Sequence, residues 1–137
     1  MIDIEKSVGF LLAKAYQRAC ALFKEEFDRH DLTPQQFGLL GFLWIEDGLS
    51  QAELSARSQI DRTTVGGIID RLEKEGLIER RDNPEDRRAY QVFLTPRGKS
   101  LEDELCALAH TVQGRLNARL SPQEQATLVR LLEKLRH

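Results

Sequence analysis

The sequence predicts a mainly α-helical protein with one small β-hairpin, and two observations support this. Four segments begin with the same capping chemistry: a Ser or Thr oxygen can accept from an unpaired backbone N–H, with a proline or a Gln/Glu just inside the helix. These helix starts lie at Thr33, Ser50, Thr95 and Ser121, and Asp61 is a fifth candidate cap. Between the starts, apolar residues recur at helical spacing, and one stretch breaks that spacing.

Six helices are expected from this pattern. The first is a long amphipathic helix over roughly residues 4–29. The other five follow the caps and, in chain order, end near Gly48, surround Leu54, end at Gly76, and carry apolar residues over 101–116 and 128–135. Gly76 is a natural left-handed residue at the end of a helix.

The segment that breaks the helical spacing indicates a hairpin. Leu77–Arg81 and Tyr90–Leu94 have strand-like composition and flank a charged loop, Asp82–Arg88, which contains a proline. Three helices followed by a hairpin give the layout of a winged helix-turn-helix. We therefore expect a single domain over residues 1–137, with a winged helix-turn-helix lobe at 33–99. The flanking helices, at 1–30 and 100–137, carry apolar stripes that a homodimer interface would bury.

Composition argues against a nucleic-acid binder at first sight. The 137 residues hold 20 Lys and Arg against 22 Asp and Glu, a net charge of -2, whereas nucleic-acid-binding domains are usually basic. Residues 61–99 nevertheless hold nine basic against eight acidic side chains, while residues 1–60 hold six against nine. The hairpin and the helix before it thus belong to the one net-positive third, so any binding to DNA would depend on a few placed arginines.

Other function classes have little support in the sequence. The apolar run Val8–Ala13 is too short for a membrane span, and the acidic Asp3 and Glu5 are unlike a secretory signal, so a cytoplasmic protein is expected. Cys20 and Cys106 lack metal-ligand spacing, and the three histidines are scattered. Nucleophile–base motifs and phosphate-binding glycine loops are absent. We expect no catalytic residue, no metal and no cofactor.

The helix-turn-helix interpretation identifies candidate DNA contacts. The helix after Asp61 would enter the major groove with its N-terminal residues, while the start of the preceding helix would face phosphates. The candidates on these two helices are Ser50, Gln51, Arg62, Thr63, Thr64, Gly66, Gly67 and Arg71. Arg62 can bind guanine or phosphate, and the threonines offer hydroxyls and methyls. The alternative is a solvated helix face in a winged-helix module that binds only proteins.

The hairpin loop adds a more specific signal. Asp86-Arg87-Arg88, followed by Leu94-Thr95, resembles the wing signature of the MarR-type transcriptional regulators, and the likeness runs from about Val8 to the C-terminus. The resemblance implies a homodimer on double-stranded DNA with a pseudo-palindromic operator. It also implies that Arg88 enters the minor groove and that Asp86 orients it. Arg87 and Arg80 would contact phosphates or form structural ion pairs.

The glycine pair Gly66-Gly67 departs from the family pattern, in which many members have threonine and arginine. Two glycines inside a helix cost roughly 1 kcal/mol each relative to alanine, so they need a reason. One interpretation is that a bare backbone lets the helix approach the bases closely. The other is that the glycines relieve packing against a neighbouring helix.

The resemblance further implies a response to a small anionic or aromatic effector, or to oxidants. An aromatic carboxylate needs a cation and an apolar slot. The candidates near the first two helices are Phe10, Lys14, Tyr16, Gln17, Arg18, Phe42 and Trp44. The same residues could equally belong to the core and the surface, and the protein could bind DNA without an effector. A redox-responsive regulator would use Cys20 or Cys106, although both are expected to be buried as small hydrophobic residues.

Overall fold

The computed structural model describes the backbone of residues 1–137 and every side chain except those of Arg87 and Arg88. After a 3₁₀ turn at Ile4–Lys6, the helices are α1 (Val8–Glu26), α2 (Pro34–Ile45), α3 (Gln51–Ser58), α4 (Arg62–Lys74), α5 (Pro96–Ser100), α6 (Glu102–Leu116) and α7 (Pro122–Leu135). The strands are β1 (Leu49–Ser50), β2 (Ile78–Asn83) and β3 (Asp86–Leu94). The predicted mainly helical class with a small β wing is confirmed.

The chain divides into two compact units. The helical unit combines residues 1–28 with residues 107–137, and the winged unit is residues 29–106. None of the helices that the structure describes is long and apolar enough to cross a membrane.

In the helical unit, α1 begins later than the predicted residue 4. Ser7 caps it by accepting from the backbone N–H of Phe10 at 3.4 Å, and the residues before the cap form the 3₁₀ turn. Arg115 of α6 joins the end of α1 through Glu25 at 2.7 Å and Glu26 at 3.0 Å. Large apolar side chains stay exposed on α1 and α7, namely Val8, Leu11, Leu12, Tyr16, Leu128, Val129, Leu131, Leu132 and Leu135.

The core of the winged unit lies where α2, α3 and α4 pack together and against the sheet. Its fully buried side chains come from all four elements and include Leu40, Leu54, Val65, Ile69 and Val92. Because each helix contributes one apolar face to this core, the opposite face of α4 stays in solvent.

The caps predicted from sequence are present. Thr33, Ser50 and Ser121 each form a reciprocal capping box, and Thr95 accepts from the backbone N–H of Gly98 at 3.1 Å. The predicted fifth helix is wrong in one respect, because it is broken at Leu101 into α5 and α6.

The sheet is larger than the predicted hairpin. It has three antiparallel strands in the order β1-β3-β2, because Leu49 and Ser50 of β1 pair with Val92 and Gln91 of β3. The observed loop of the hairpin is also shorter than the predicted Asp82–Arg88. Both strands extend into it, with Asn83 opposite Asp86 and a register irregularity beside Asp82, so the turn itself is only two residues.

Candidate nucleic-acid interface

The turn between α3 and α4 is tight and held by short-range hydrogen bonds. Gln59 ends α3 in the left-handed region with φ 56°. The Ser55 hydroxyl donates to the carbonyl of Ile60 at 2.5 Å, and the Ile60 N–H donates to the Ser58 hydroxyl at 3.3 Å. These bonds fix the direction in which α4 leaves α3.

One face of α4 is buried and the other is open. Val65, Ile69 and Leu72 are fully buried. At 100° per residue, Thr63 and Gly67 lie on the side opposite these residues, and both are exposed. The open side of α4 therefore carries Thr63 and Gly67, two of the predicted base contacts.

The N-terminus of α4 is held by Asp61. Its carboxylate accepts from the Thr64 backbone N–H at 3.0 Å and from the Thr64 hydroxyl at 2.7 Å. These bonds, the backbone one foremost, hold the pKa of Asp61 below its ordinary value of 3.8. The Thr64 hydroxyl proton is thus already used within the cap, which leaves its methyl group and a lone pair for a ligand.

The two glycines of α4 have different surroundings. The Gln51 amide donates to the carbonyl of Arg62 at 2.9 Å, and a Cβ on Gly66 would lie 2.9 Å from the same amide nitrogen. A Cβ on Gly67 would meet nothing within 4 Å. Gly66 therefore fits the packing interpretation, since it makes room for Gln51, and Gly67 is a bare position on the open face.

A groove joins the starts of both helices to the wing. It has a volume of about 380 Å³ and is lined by Ser50, Gln51, Ala52, Arg62, Asp86, Ala89 and Tyr90. Four predicted site residues thus meet in one place. Tyr90, which is 48% exposed, is a lining residue that the sequence pattern did not indicate. Tyr90 is two and four residues before the buried Val92 and Leu94, and this spacing on a strand predicts that Tyr90 faces the core with them.

Arg62 and Arg71 of α4 and Arg80 of β2 differ in their partners. Arg71 binds Asp31 at 2.8 Å and Glu75 at 3.0 Å. These hydrogen bonds, to Glu75 first, raise the pKa of Arg71. Arg80 is also paired with carboxylates, whereas no described carboxylate forms an ion pair with Arg62. Of the three, Arg62 is the one available to an anion.

The tip of the wing carries the remaining predicted contacts. Asp86 begins β3, is exposed and lines the groove. The predicted DNA contacts Arg87 and Arg88 follow directly on β3, and their side chains lie outside the described residues. On the neighbouring strand, Arg81 lies 4.1 Å from the centroid of the Phe93 ring and bonds Glu79 at 2.8 Å.

The candidate effector residues divide between the two units. Phe10, Lys14, Tyr16, Gln17 and Arg18 lie on α1, whereas Phe42 and Trp44 lie on α2. Lys14 lies 5.3 Å from the centroid of the Phe10 ring and donates to Gln17 at 3.3 Å. A 520 Å³ cavity of the helical unit is lined instead by Leu12, Val129, Leu132, Glu133, Leu135 and Arg136.

Trp44 is held by a hydrogen bond, and the cysteines are less buried than expected. The Trp44 indole N–H donates to the carbonyl of Gly98 at 3.0 Å, so this ring is fixed within the winged unit. Cys20 and Cys106 are free thiols and are half-buried rather than buried. Burial, helped by Glu102 and Asp103, raises the pKa of Cys106, which is the opposite of activation.

His30 forms a contact with Glu104 that the sequence alone did not indicate. His30 Nε2 lies 3.3 Å from Glu104 Oε1, although the two residues are far apart in the chain. Among the described side chains, no group of three His, Cys, Asp or Glu residues is arranged to hold a metal ion.

Comparison with known proteins identifies the family. Residues 30–89 match the MarR family. The transcriptional repressor NicR of Pseudomonas putida is 35% identical over 97% of this chain and 84% of its own length. The chain belongs to the MarR family. Proteins of this family are DNA-binding transcriptional regulators, so this MarR-family protein is a regulator and not an enzyme.

Two solved structures are similar to nearly the whole chain. Bordetella bronchiseptica BpsR, described with the regulation of its DNA binding by 6-hydroxynicotinic acid, is 33% identical with a TM-score of 0.93, covering 99% of this chain and 97% of that one. A single-residue variant of Escherichia coli MarR complexed with operator DNA is 28% identical with a TM-score of 0.89, covering 98% and 99%.

Proposed function

We propose that this MarR-family protein is a ligand-responsive repressor that binds a pseudo-palindromic operator as a homodimer in the cytoplasm. The observation that carries the proposal is the groove in which Arg62, without a described carboxylate partner, lies with Asp86 of the wing. A helix and a wing that meet at one groove can hold the same stretch of duplex from two sides.

The contacts with DNA divide by chemistry. Arg62, Thr63 and the bare Gly67 face the bases of the major groove, and Ser50 faces a phosphate at the start of α3. Arg88 enters the minor groove with Asp86 beside it, and Arg87 contacts phosphate. Four further site residues act within the protein: Gln51, Thr64, Gly66 and Arg71.

The homodimer is supported by the helical regions at 1–30 and 100–137. Their exposed apolar side chains include Leu11, Leu12, Leu131 and Leu135, which are 52%, 40%, 45% and 60% exposed. Burying such side chains in a two-fold interface is favourable by roughly 25 cal/mol per Å². A two-fold dimer would read two half-sites about one helical turn, roughly 34–36 Å, apart.

The effector is proposed to be a small aromatic carboxylate. The support is that DNA binding by BpsR, at 33% identity, is regulated by 6-hydroxynicotinic acid. Lys14 offers a cation beside the apolar Phe10, and Arg18 offers a second one further along α1. A carboxylate would bind the cation and the ring would lie against the apolar side chains.

Selection of bound sequences from a random DNA pool tests the proposal. A palindromic consensus is expected, with affinity that falls steeply as salt rises. Binding that selects no sequence, or that is insensitive to salt, would instead favour a module for protein contacts. Titrating the operator complex with pyridine and benzene carboxylates, and separately with peroxide, distinguishes a ligand sensor from a redox sensor or a regulator without effector.

Arg88→Ala tests the wing. It is expected to weaken operator binding while the dimer stays intact by size-exclusion chromatography. Arg57→Ala is a matched control, because Arg57 pairs with Glu46 and has no assigned contact with DNA. Equal operator affinity of the Arg88→Ala variant and the wild type at the same salt would refute the placing of the wing.

A further inference from the structure

The helix proposed to enter the major groove is poor in net positive charge. The helix α4 contains three basic residues, Arg62, Arg71 and Lys74, and two acidic ones, Asp70 and Glu73. Both acidic residues are exposed, and Asp70 lies on the open side of the helix, one turn beyond Gly67. Electrostatic repulsion acts over about 10 Å at 0.1 M salt, the Debye length. An unpaired carboxylate on a helix that enters the major groove would therefore be repelled by the phosphates of the DNA backbone.

Arg80 of β2 binds both of these carboxylates. Its Nη2 lies 2.5 Å from Asp70 Oδ1, and its Nη1 lies 2.8 Å from Glu73 Oε1. The second oxygen of Glu73 accepts from the Arg80 backbone N–H at 3.1 Å. The Arg80 side chain is only 21% exposed, whereas that of Asp70 is 69% exposed. The guanidinium is therefore turned toward α4 and away from solvent.

This geometry is unlike that of an arginine that contacts phosphate. Both terminal nitrogens already donate to carboxylates, and releasing them would expose two negative charges beside the DNA. Arg71 has a similar pair of partners, but its acids, Asp31 and Glu75, come from the loop before α2 and from the end of α4. Arg80 thus has a distinct place, bridging the recognition helix and the wing.

We propose that Arg80 is an internal counterion for DNA binding: it neutralises Asp70 and Glu73 so that α4 can approach the phosphates, and it makes no contact with DNA itself. The proposal rests on the proposed placing of α4 in the major groove. It makes Arg80 a positioning residue whose effect on affinity depends on the two acids.

The test compares operator affinity across four variants at several salt concentrations, with the melting temperature of each as a check on folding. The variants are Arg80→Ala, Arg80→Lys, the double change Asp70→Asn with Glu73→Gln, and the triple change that adds Arg80→Ala to this pair. Asparagine and glutamine keep the shape of the acids, and glutamine keeps an oxygen for the Arg80 backbone N–H.

Arg80→Ala is expected to bind the operator about five- to tenfold more weakly at low salt, with the loss shrinking as salt screens the acids. Arg80→Lys keeps the charge and is expected to stay within about threefold of the wild type. The triple variant is expected to recover to within about twofold of the wild type, because no charge is left to neutralise.

Two results would overturn the proposal. If Arg80 contacts phosphate, the triple variant stays as weak as Arg80→Ala, because removing the two acids does not restore the lost phosphate contact. If Arg80 is only a brace between α4 and β2, the triple variant also stays weak, because the brace is still missing. Arg62→Ala separates this inference from the proposed function: an operator affinity unchanged by Arg62→Ala refutes the placing of α4 in the groove.

Discussion

Gly98→Ala is the substitution whose effect on folding is most directly set by the structure. Gly98 is buried in α5, and a Cβ there would lie 2.1 Å from the carbonyl oxygen of Leu77. Contacts below 3.0 Å are essentially never seen, so α5 would have to move by nearly an ångström. That oxygen accepts from the Thr95 N–H at 3.1 Å, and the Gly98 carbonyl accepts from Trp44 at 3.0 Å.

The expected cost follows from these contacts. Overpacking a close contact costs about 1–3 kcal/mol, and each weakened hydrogen bond adds about 1 kcal/mol. A total of about 3–5 kcal/mol is a large share of the 5–15 kcal/mol by which domains are usually stable. For a protein of this size it corresponds to a fall of roughly 10–20 °C in melting temperature.

Thermal unfolding followed by circular dichroism, together with urea titration, measures this cost. Gly67→Ala is the matched control, since it makes the same chemical change at an exposed helical position where a Cβ meets nothing within 4 Å. Helix propensity predicts that the control is about 1 kcal/mol more stable than the wild type. A Gly98→Ala protein that melts within about 2 °C of the wild type would show that the α5 contact is not a rigid constraint.

Three further outcomes are expected. Gly67→Val should weaken operator binding several-fold without loss of folding, because its side chain would occupy the open face of α4; an unchanged gel-shift titration would contradict this. Iodoacetamide at pH 7 should react more slowly with the Cys106 thiol than with the thiol of free glutathione, because the raised pKa of Cys106 keeps its thiol protonated. Mass spectrometry of the labelled peptide measures the rate of this reaction. The lowered pKa of Asp61 stabilises the fold above the ordinary value of 3.8, and this contribution is lost as pH falls through the depressed pKa, so Asp61→Asn should flatten that acid part of the stability curve.

Elements specified by neighbouring residues could be predicted from the sequence. The caps at Thr33 and Ser50 depend on residues three positions away, so the helix starts were predictable, as was the end of α4 just before the left-handed Gly76. Strand β1 could not be predicted in this way, because two residues have no periodicity and Leu49 pairs with Val92 far along the chain. The break at Leu101 carries no proline and no capping signal, so the apolar spacing there predicts one continuous helix.

The same division applies to the site. The sequence shows that several arginines lie in and near the hairpin. It does not show that Arg80 is paired with two carboxylates while Arg62 has no described ion pair, because those pairs form only when β2 lies beside α4. Likewise, Gly66 and Gly67 are adjacent and chemically identical. Only the position of Gln51, which comes from the packing of α3 on α4, separates a filled space from an open one.

Ser50 has a further consequence for how an operator can vary. One residue pairs with Gln91 of β3 and also caps α3, accepting from the Glu53 N–H at 3.1 Å. The wing strand and the helix-turn-helix are therefore linked without any loop between them that could stretch. An extra base pair between the two contacted stretches of a half-site would rotate one from the other by about 35°. Half-sites recognised by this protein can therefore change in base identity more readily than in length, and insertions within them should abolish recognition where substitutions only weaken it.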